Sequence, residues 1–282
     1  MHRPDLGVVL GLYRAEHRRD LLEGALNLGI RALDTSFNYL DFASHRTLAQ
    51  VAGDLLPQFT ISTKIGFFPR DKQAHHSLEP DRLREAAEQT AEDLERAPDV
   101  LLLHNPESSL AHPPTDKARE VLAEAFGALA QAAEDGLCGQ WGLSTWKPLP
   151  LLSAVGPDTA KPDVLMTRAG LLVDAATLRA GEELAAALRI EPEGRWGMSP
   201  FGGDGQHRIW NVFDATMFLD RDQEASNLQA ALRVAFEVPA VARVAVGTGN
   251  VHHLKELADA VTLRLDQARL SNYRAVINER RS

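Results

Sequence analysis

The sequence predicts an α/β protein: a (β/α)8 TIM barrel with an extra carboxyl-terminal helix, in which residues 1–282 form one domain. Short apolar runs alternate with longer amphipathic stretches, which is typical of repeated βα units. Eight such runs occur, and eight is the number of strands in this barrel. Polar residues follow several of the runs, where a parallel barrel carries its functional side chains, and about 250 residues is an ordinary length for the fold.

The strands are predicted at runs of Val, Leu and Ile that end at Gly, Pro or Asn, because such runs are typical of buried strands that open into loops. In chain order they are Gly7–Leu12, Ala32–Asp34, Thr60–Lys64, Val100–His104, Gln140–Ser144, Val164–Arg168, Arg195–Ser199 and Val244–Gly247.

The helices are predicted at the amphipathic stretches between these runs, with proline or glycine at most of the joins. In chain order they are Glu16–Leu28, Ser44–Leu55, Pro80–Arg96, Asp116–Asp135, Leu149–Val155, Ala175–Leu188, Ala225–Glu237, Val251–Ala260 and the extra helix Leu263–Ile277.

Residues 201–221 form a predicted loop that is too long and too aromatic for a plain turn. Long loops in compact domains often cover binding sites, so we expect this one to cover the mouth of the barrel and to become ordered when ligand binds. The alternative is a surface excursion with a hydrophobic underside.

Composition narrows the classes of partner. The chain has 30 Lys and Arg against 39 Asp and Glu, a net charge of -9, and no basic stripe, which argues against nucleic acid and anionic membranes. The single cysteine, Cys138, is typical of a reducing compartment. With no signal peptide and no apolar stretch as long as a membrane span, we expect a cytoplasmic protein with a small-molecule substrate. The sequence leaves open whether the protein forms a homo-oligomer or binds a partner protein of its pathway.

Four polar residues, Asp34, Tyr39, Lys64 and His104, lie at or just beyond predicted strand ends. A phenol flanked by an ammonium, a carboxylate and an imidazole is a proton donor for a carbonyl oxygen. The lysine cation favours the phenolate, so we expect it to lower the tyrosine pKa from about 10 toward the working pH. Each residue alone has a structural explanation, but all four in this order within a barrel pattern favour catalysis.

The order of these motifs resembles the aldo/keto reductase family. The resemblance is carried by Gly29-Ile-Arg-Ala-Leu-Asp34-Thr35 followed by Tyr39, by Ser62-Thr-Lys64, by Leu102-Leu-His104, by Gly139-Gln-Trp-Gly-Leu-Ser144 and by Met198-Ser-Pro-Phe-Gly202. It implies a (β/α)8 oxidoreductase that uses NADH or NADPH. Tyr39 would donate the proton, Asp34 would hold Lys64, and His104 would orient the substrate carbonyl or help relay the proton. The amino-acid sequences of these motifs are most similar to those of the subgroup that contains the aldose and pyridoxal dehydrogenases.

The same resemblance implies a set of cofactor-binding positions: Ser144, Thr145, Met166, Met198, Ser199, Phe201, Gly202, Gly247, Thr248, Gly249 and Asn250. Several depart from the family pattern. Thr145 replaces Asn, Met166 replaces Gln, and Met198 replaces an aromatic residue that stacks on nicotinamide. Gly249 lies near the usual arginine for the 2'-phosphate, and Glu256 replaces the usual Asn at adenine.

Three residues near the predicted barrel mouth are candidates for substrate binding: Trp146, Arg168 and Trp210. Arg168 would bind a substrate carboxylate in a bidentate manner or pair with a nearby acidic residue, and both remain open. We expect no metal site, because neither histidine pair, at 75–76 or 252–253, has carboxylate or cysteine partners at ligand spacing.

Two classes of function follow. The first is reduction of a C=O or C=N bond in a small metabolite, in a specialised biosynthetic pathway. The alternative is a non-redox barrel enzyme, such as an isomerase, or a pathway helper subunit that has lost nicotinamide binding. Intact acid–base residues argue against the helper subunit, and the altered nicotinamide contacts argue against an ordinary reductase.

Overall fold

The computed structural model describes residues 7–15, 17–70, 73–110, 115–156, 159–203 and 205–279. Eight parallel strands close into a barrel, with helices around it, which confirms the predicted fold class. The barrel strands are β1 Val8–Gly11, β2 Ala32–Asp34, β3 Thr60–Ile65, β6 Val100–His104, β7 Gln140–Thr145, β8 Val164–Arg168, β9 Arg195–Met198 and β10 Arg243–Gly247. Strands β4 Phe67–Arg70 and β5 Gln73–His76 form a separate antiparallel hairpin.

The register of the barrel brings the predicted catalytic residues to one end. Asp34 is paired with Ser62 on the neighbouring strand β3, and Lys64 is paired with Leu102 on β6. The carboxyl ends of β2, β3 and β6 are therefore adjacent, so the side chains of Asp34, Lys64 and His104 meet there. This end carries the catalytic residues of (β/α)8 enzymes.

The nine predicted helices are present, and the ends of most of them are shifted. With the additional short helix α4, the helices are α1 Arg19–Leu28, α2 Ser44–Ala52, α3 Pro80–Asp93, α4 Glu107–Leu110, α5 Thr115–Glu134, α6 Leu149–Ala154, α7 Ala175–Ala187, α8 Asn227–Ala235, α9 Val251–Ala260 and α10 Gln267–Glu279. Helix α10 begins four residues later than predicted, because Leu265 bridges to Leu219 in extended conformation and the Asp266 carboxylate accepts from the Arg269 N–H. The predicted start of α1, Glu16, lies outside the described residues.

Two elements near the barrel mouth were not predicted. The β4–β5 hairpin occupies what the sequence suggested was a loop, since the segment lacks the Asn-Gly or Asp-Gly signal of a tight hairpin. The four-residue helix α4 is too short to produce a periodic signal.

The later part of the long loop is anchored to the barrel by a few buried side chains and hydrogen bonds. Its residues form two short 3-10 helices, Arg208–Asn211 and Ala215–Phe218. The side-chain amide of Asn227 donates to the carbonyl oxygens of Trp210 and Phe213, at 2.7 and 2.6 Å. Only the start of the loop, at Phe201, Gly203, Gly205 and Gln206, reaches the cavities at the barrel mouth, and Asp204 lies outside the described residues. The loop therefore agrees with the alternative prediction, a surface excursion with a hydrophobic underside. Its later part does not cover the mouth of the barrel.

Apolar side chains fill the inside of the barrel in the way this fold requires. They are Val9, Ala32, Val100, Leu102, Val164, Met166, Trp196, Met198 and Ala245. Within the described ranges, no helix combines the length and the apolar character that crossing a membrane demands.

Two buried histidines lie under the segment that carries Tyr39. His17 Nε2 is 2.7 Å from the Ser44 hydroxyl, and His45 Nε2 is 2.7 Å from the Thr63 hydroxyl. Burial lowers the pKa of His17 to about 4. Burial, and then the nearby His17, lower the pKa of His45 to about 3. Both imidazoles are therefore neutral in the folded protein at neutral pH.

We expect these histidines to make stability fall on mild acidification. In the unfolded chain they bind protons below a pH of about 6.5, whereas in the folded chain they do so only near the lowered values. Their contribution is complete above pH 6.5 and is lost as the pH falls toward 4. Between pH 7 and pH 5 each should reduce the free energy of unfolding by about 2 kcal/mol. Urea unfolding of the wild type and of His17→Asn measures this, and equal pH slopes for the two proteins would contradict it.

Candidate active site

A buried ion pair between Lys64 and Asp34 forms the centre of the site, and both side chains are almost completely buried. Lys64 Nζ also donates to the Thr35 carbonyl oxygen at 3.0 Å, and the Ser62 hydroxyl donates to Asp34 Oδ1 at 2.9 Å. Burial lowers the pKa of Lys64, but Asp34 and Tyr39 together raise it more, so its net pKa is raised. Lys64 is therefore a fixed cation that Asp34 holds in place.

Tyr39 lies directly over this cation, with Lys64 Nζ 5.6 Å from the centre of its ring. Burial raises the pKa of Tyr39, Lys64 lowers it, and Asp34 raises it again. The net pKa is raised, so the predicted net lowering by Lys64 is wrong, although the effect of Lys64 itself has the predicted sign. The phenol accordingly keeps its proton at neutral pH.

His104 completes the group at the end of β6. Its Nδ1 is 3.1 Å from the Ser36 hydroxyl, and its ring centre is 6.5 Å from that of Tyr39. Burial, followed by the charges of Lys64 and His76, lowers the pKa of His104 well below its ordinary value. The imidazole is therefore neutral and supplies hydrogen bonds rather than charge.

The four residues line one cavity of about 360 Å³ at the carboxyl ends of the strands. This volume lies within the range of small-molecule sites. Tyr13, Arg14 and Asn105 also line it and were not predicted. The first two follow directly after β1, so the strand-end argument used for Asp34 also applied to them.

Six of the predicted cofactor positions line the same cavity: Ser144, Met166, Met198, Ser199, Phe201 and Gly247. The hydroxyl oxygens of Ser144 and Ser199 are buried and have no hydrogen-bond partner among the described residues. An unpartnered buried hydroxyl is costly, so both are suited to bond a bound molecule.

Three predicted cofactor positions line neither this cavity nor its neighbour. Thr145 is fully buried, and its hydroxyl accepts from the Lys147 N–H at 3.2 Å. A side chain at Gly202 would point at Leu172, 2.9 Å away. The Asn250 side chain caps α9 by accepting from the His252 N–H.

A second cavity of about 340 Å³ adjoins the first and shares Arg14, Phe201, Gly205 and Gly247 with it. It is lined by Thr248 and Gly249, and by His253 and Glu256 from α9. The cleft therefore runs from Tyr39 to the amino terminus of α9, an end that favours a bound phosphate.

The three predicted substrate residues differ in position. Trp146 lines the first cavity and is 40% exposed. Arg168 lines neither cavity but stacks on Trp146, with its guanidinium carbon 5.5 Å from the ring centre. Trp210 lies within the long loop, and its side chain is buried. Its Nε1 donates to the Phe201 carbonyl oxygen at 3.3 Å. Trp210 therefore shapes the wall through Phe201 and does not line the cavity.

Glu107, in the short helix α4, is a further supporting residue. Its buried Oε1 accepts from the N–H groups of Trp146 and Lys147, at 2.8 and 3.1 Å. Glu107 thus fixes the segment that presents Trp146. The sequence gave no periodic or motif signal for this contact.

A larger cavity, of about 710 Å³, lies at the opposite end of the barrel. Residues at or near the starts of the strands line it, among them Thr60, Val100, Gln140 and Val164. It contains none of the proton-transfer residues, and this end of a (β/α)8 barrel serves stability. The smaller cavity is therefore the candidate active site.

The sequence profile of the aldo/keto reductase family matches residues 9–168, more than half of the chain. The chain belongs to the aldo/keto reductase family. It is therefore an oxidoreductase of a family that uses NADH or NADPH. No curated protein sequence matches it significantly.

Solved structures of aldo/keto reductases share the fold. A candidate aldo-keto reductase from Pseudomonas aeruginosa is 23% identical, with a TM-score of 0.64 over 93% of this chain and 96% of that one. An aldo-keto reductase from Klebsiella pneumoniae, solved with NADPH, is 13% identical, with a TM-score of 0.69 over 96% and 90%. A glycerol dehydrogenase from Gluconobacter oxydans is 14% identical, with a TM-score of 0.70 over 99% and 93%.

The site of this aldo/keto reductase contains no metal centre within the described ranges, because no three His, Cys, Asp or Glu residues come together there in a way that could hold an ion. Its residues do fit a dinucleotide. Ser144 and Ser199, whose buried hydroxyls lack a partner among the described residues, line the first cavity, and the close backbone approach of Gly11 and Gly247 lies at the junction of the two cavities. A Cβ at Gly247 would lie 3.1 Å from the Gly11 carbonyl oxygen, so glycine lets the two strands approach closely at this point of the cleft.

The Asp34–Lys64 pair should show strong coupling in a double-mutant cycle. Lys64→Met leaves a buried carboxylate and Asp34→Asn leaves a buried ammonium, so each should cost about 3–5 kcal/mol of unfolding free energy. The double variant should cost clearly less than the sum of the two. The exposed pair Lys117–Glu120 is the control and should show no measurable coupling. Chemical denaturation decides the matter: additive losses at Asp34 and Lys64 would mean that the pair is not a structural unit.

Proposed function

We propose that this aldo/keto reductase reduces the C=O or C=N bond of a small metabolite, with NADH or NADPH as the reductant and Tyr39 as the proton donor. One observation carries the proposal. The Tyr39 phenol, the buried Lys64 ammonium and the His104 imidazole line one cavity, and a second cavity continues from it to the amino terminus of α9.

Residues of the chain divide the cofactor contacts between the two cavities. The free Ser144 hydroxyl would bond the nicotinamide carboxamide, and Met166 and Met198 would pack against the ring. Thr248 and Gly249 would lie along the phosphate and adenosine portion. When bound, the cofactor supplies a hydride to the substrate carbon.

Tyr39 then supplies the proton. The substrate oxygen or nitrogen accepts a hydrogen bond from the Tyr39 hydroxyl, and the proton moves to that atom as negative charge develops on it. The Lys64 cation stabilises the phenolate that remains, and Asp34 keeps that cation in place. Neutral His104 orients the substrate with a hydrogen bond, while Ser36 holds its other side.

The raised pKa of Tyr39 keeps the phenol protonated at neutral pH, which is the form that reduction needs, whereas oxidation needs a phenolate. Imines remain beside carbonyls as substrates because the same hydroxyl protonates nitrogen. The altered positions Met166 and Met198 support a specialised pathway enzyme. Membership of an oxidoreductase family and the free Ser144 hydroxyl favour this function over the non-redox alternative.

Replacing Tyr39 with Phe should remove the proton donor and leave the cavity shape unchanged. We expect the reduction rate to fall about 10²–10⁴-fold, while the affinity for the cofactor changes little. Turnover of an aldehyde panel and calorimetric titration of cofactor measure the two quantities. Tyr13→Phe, which alters a phenol at the same mouth, is the control. Near-normal turnover of Tyr39→Phe would exclude the proposed role.

The second cavity should not favour NADPH. Gly249 supplies no cation, and Glu256 places a carboxylate in the wall. Other basic side chains have acidic partners. Arg18 donates to the Gly249 carbonyl oxygen at 3.3 Å and pairs with Asp20. Lys255 pairs with Asp259, and Arg274 bonds to Glu237. Arg14 lines both cavities, so a charge contact from it would be available to NADH as well as to NADPH. Its carbonyl oxygen lies 3.5 Å from the position of a Cβ at Gly249.

We therefore expect calorimetry to give NADPH less than about a tenfold advantage over NADH. Gly249→Arg should raise NADPH affinity about ten- to a hundredfold and leave NADH unchanged, because one charge-assisted bond contributes about 1.5–3 kcal/mol. A Cβ at Gly249 would make only an ordinary 3.5 Å contact, so the variant should fold. Gly127→Arg adds the same charge far from the cleft and is the control. Failure of both cofactors to bind the wild type would restore the non-redox alternative.

A further inference from the structure

We infer that His76, in the β4–β5 hairpin, is a positioning residue that fixes the main chain of His104. The inference rests on the proposed function insofar as His104 touches the substrate there. His76 itself lines neither of the two cavities at the barrel mouth, so it acts through His104. The histidine pair at 75–76 lacks the partners of a metal site in the sequence and has no other predicted role.

Both ring nitrogens of His76 are used. Nε2 lies 2.8 Å from the His104 carbonyl oxygen, which can only accept, so Nε2 carries the hydrogen. Nδ1 lies 2.7 Å from the Ser109 hydroxyl, which donates to it. The neutral ring therefore bridges the end of β6 and helix α4. Burial lowers the pKa of His76, in agreement with a neutral imidazole.

The packing around this bridge is tight. The Phe67 ring contacts His76 and His104 edge to face, with ring centres 4.8 and 5.0 Å apart. Gly66 has a φ of 135°, and a Cβ there would lie 3.3 Å from both His76 Nε2 and the His104 carbonyl oxygen. Only glycine allows the hairpin to approach so closely.

The bridge connects two catalytic strands. Gly66 is the residue directly after β3, the strand that carries Lys64. The hairpin that follows places His76 against the end of β6. Ser36 holds the His104 ring from the other side at Nδ1. His104 is thus fixed at its ring by one contact and at its backbone by another. A shift of about 1 Å in a catalytic group can reduce turnover about 10²-fold, so this second contact bears on the rate.

The test compares His76→Phe, which keeps a ring without donors, with His76→Gln, which keeps an amide donor. His75→Phe is the matched control, since His75 is an exposed neighbour in the same hairpin. Histidine-ring NMR spectra, with the His104 signals assigned from His104→Asn, report the ring's tautomer and environment without requiring turnover. We expect the His104 signals to shift and broaden in His76→Phe, to recover in part in His76→Gln and to stay unchanged in His75→Phe.

Unchanged His104 signals in His76→Phe would overturn the inference, as would equal changes in His75→Phe. If His76→Phe does not fold, His76→Gln decides alone: a partial shift of the His104 signals is expected, and signals identical to those of the wild type would contradict the inference. Where the wild type reduces an aldehyde, kcat should fall about tenfold or more in His76→Phe with the cofactor Kd unchanged. Absence of wild-type turnover would count against the proposed function, while the NMR result would still decide the role of His76.

Discussion

The buried ion pair between Asp34 and Lys64 is the constraint on which the rest of the site depends. Burying either charge alone is costly, so each residue requires the other, and the closed barrel places them at the ends of neighbouring strands. Lys64 then bonds the Thr35 carbonyl oxygen as well, which fixes the start of the segment leading to Tyr39. A stabilising contact of the fold and the electrostatic centre of the chemistry are thus the same interaction.

The ion pair also determines what Tyr39 can do. A cation alone would draw the phenol toward its ionised form, but burial and the Asp34 carboxylate act in the opposite direction and dominate. The site therefore keeps a protonated donor next to a cation that can stabilise the phenolate once the proton has left. A protonated donor beside a cation that stabilises the phenolate is an arrangement suited to reduction at neutral pH. His104, made neutral by burial and by Lys64, adds a hydrogen bond without competing charge.

The sequence predicted the barrel and the meeting of the candidate residues at one end of it because both depend on local signals. Asp34, Lys64 and His104 end apolar runs, and strand ends in a parallel barrel converge. Features that depend on three-dimensional packing were missed. The net pKa of Tyr39 reflects the balance between burial and two charges, and Trp210 turns inward because Asn227 anchors its loop. The hairpin lacks a turn signal, so the bridge from His76 to His104 was not visible in the sequence.

The central claim is that Tyr39 is held as a protonated phenol beside a lysine cation. Carbon-13 NMR of protein labelled at the tyrosine ζ carbon measures this directly, since the chain has only 3 tyrosines and the Tyr39→Phe spectrum identifies the signal. We expect the Tyr39 signal to keep the chemical shift of a protonated phenol through neutral pH and to titrate with a pKa above the ordinary value of about 10. Titration of Tyr39 below that value would contradict the account, because Lys64 would then outweigh burial.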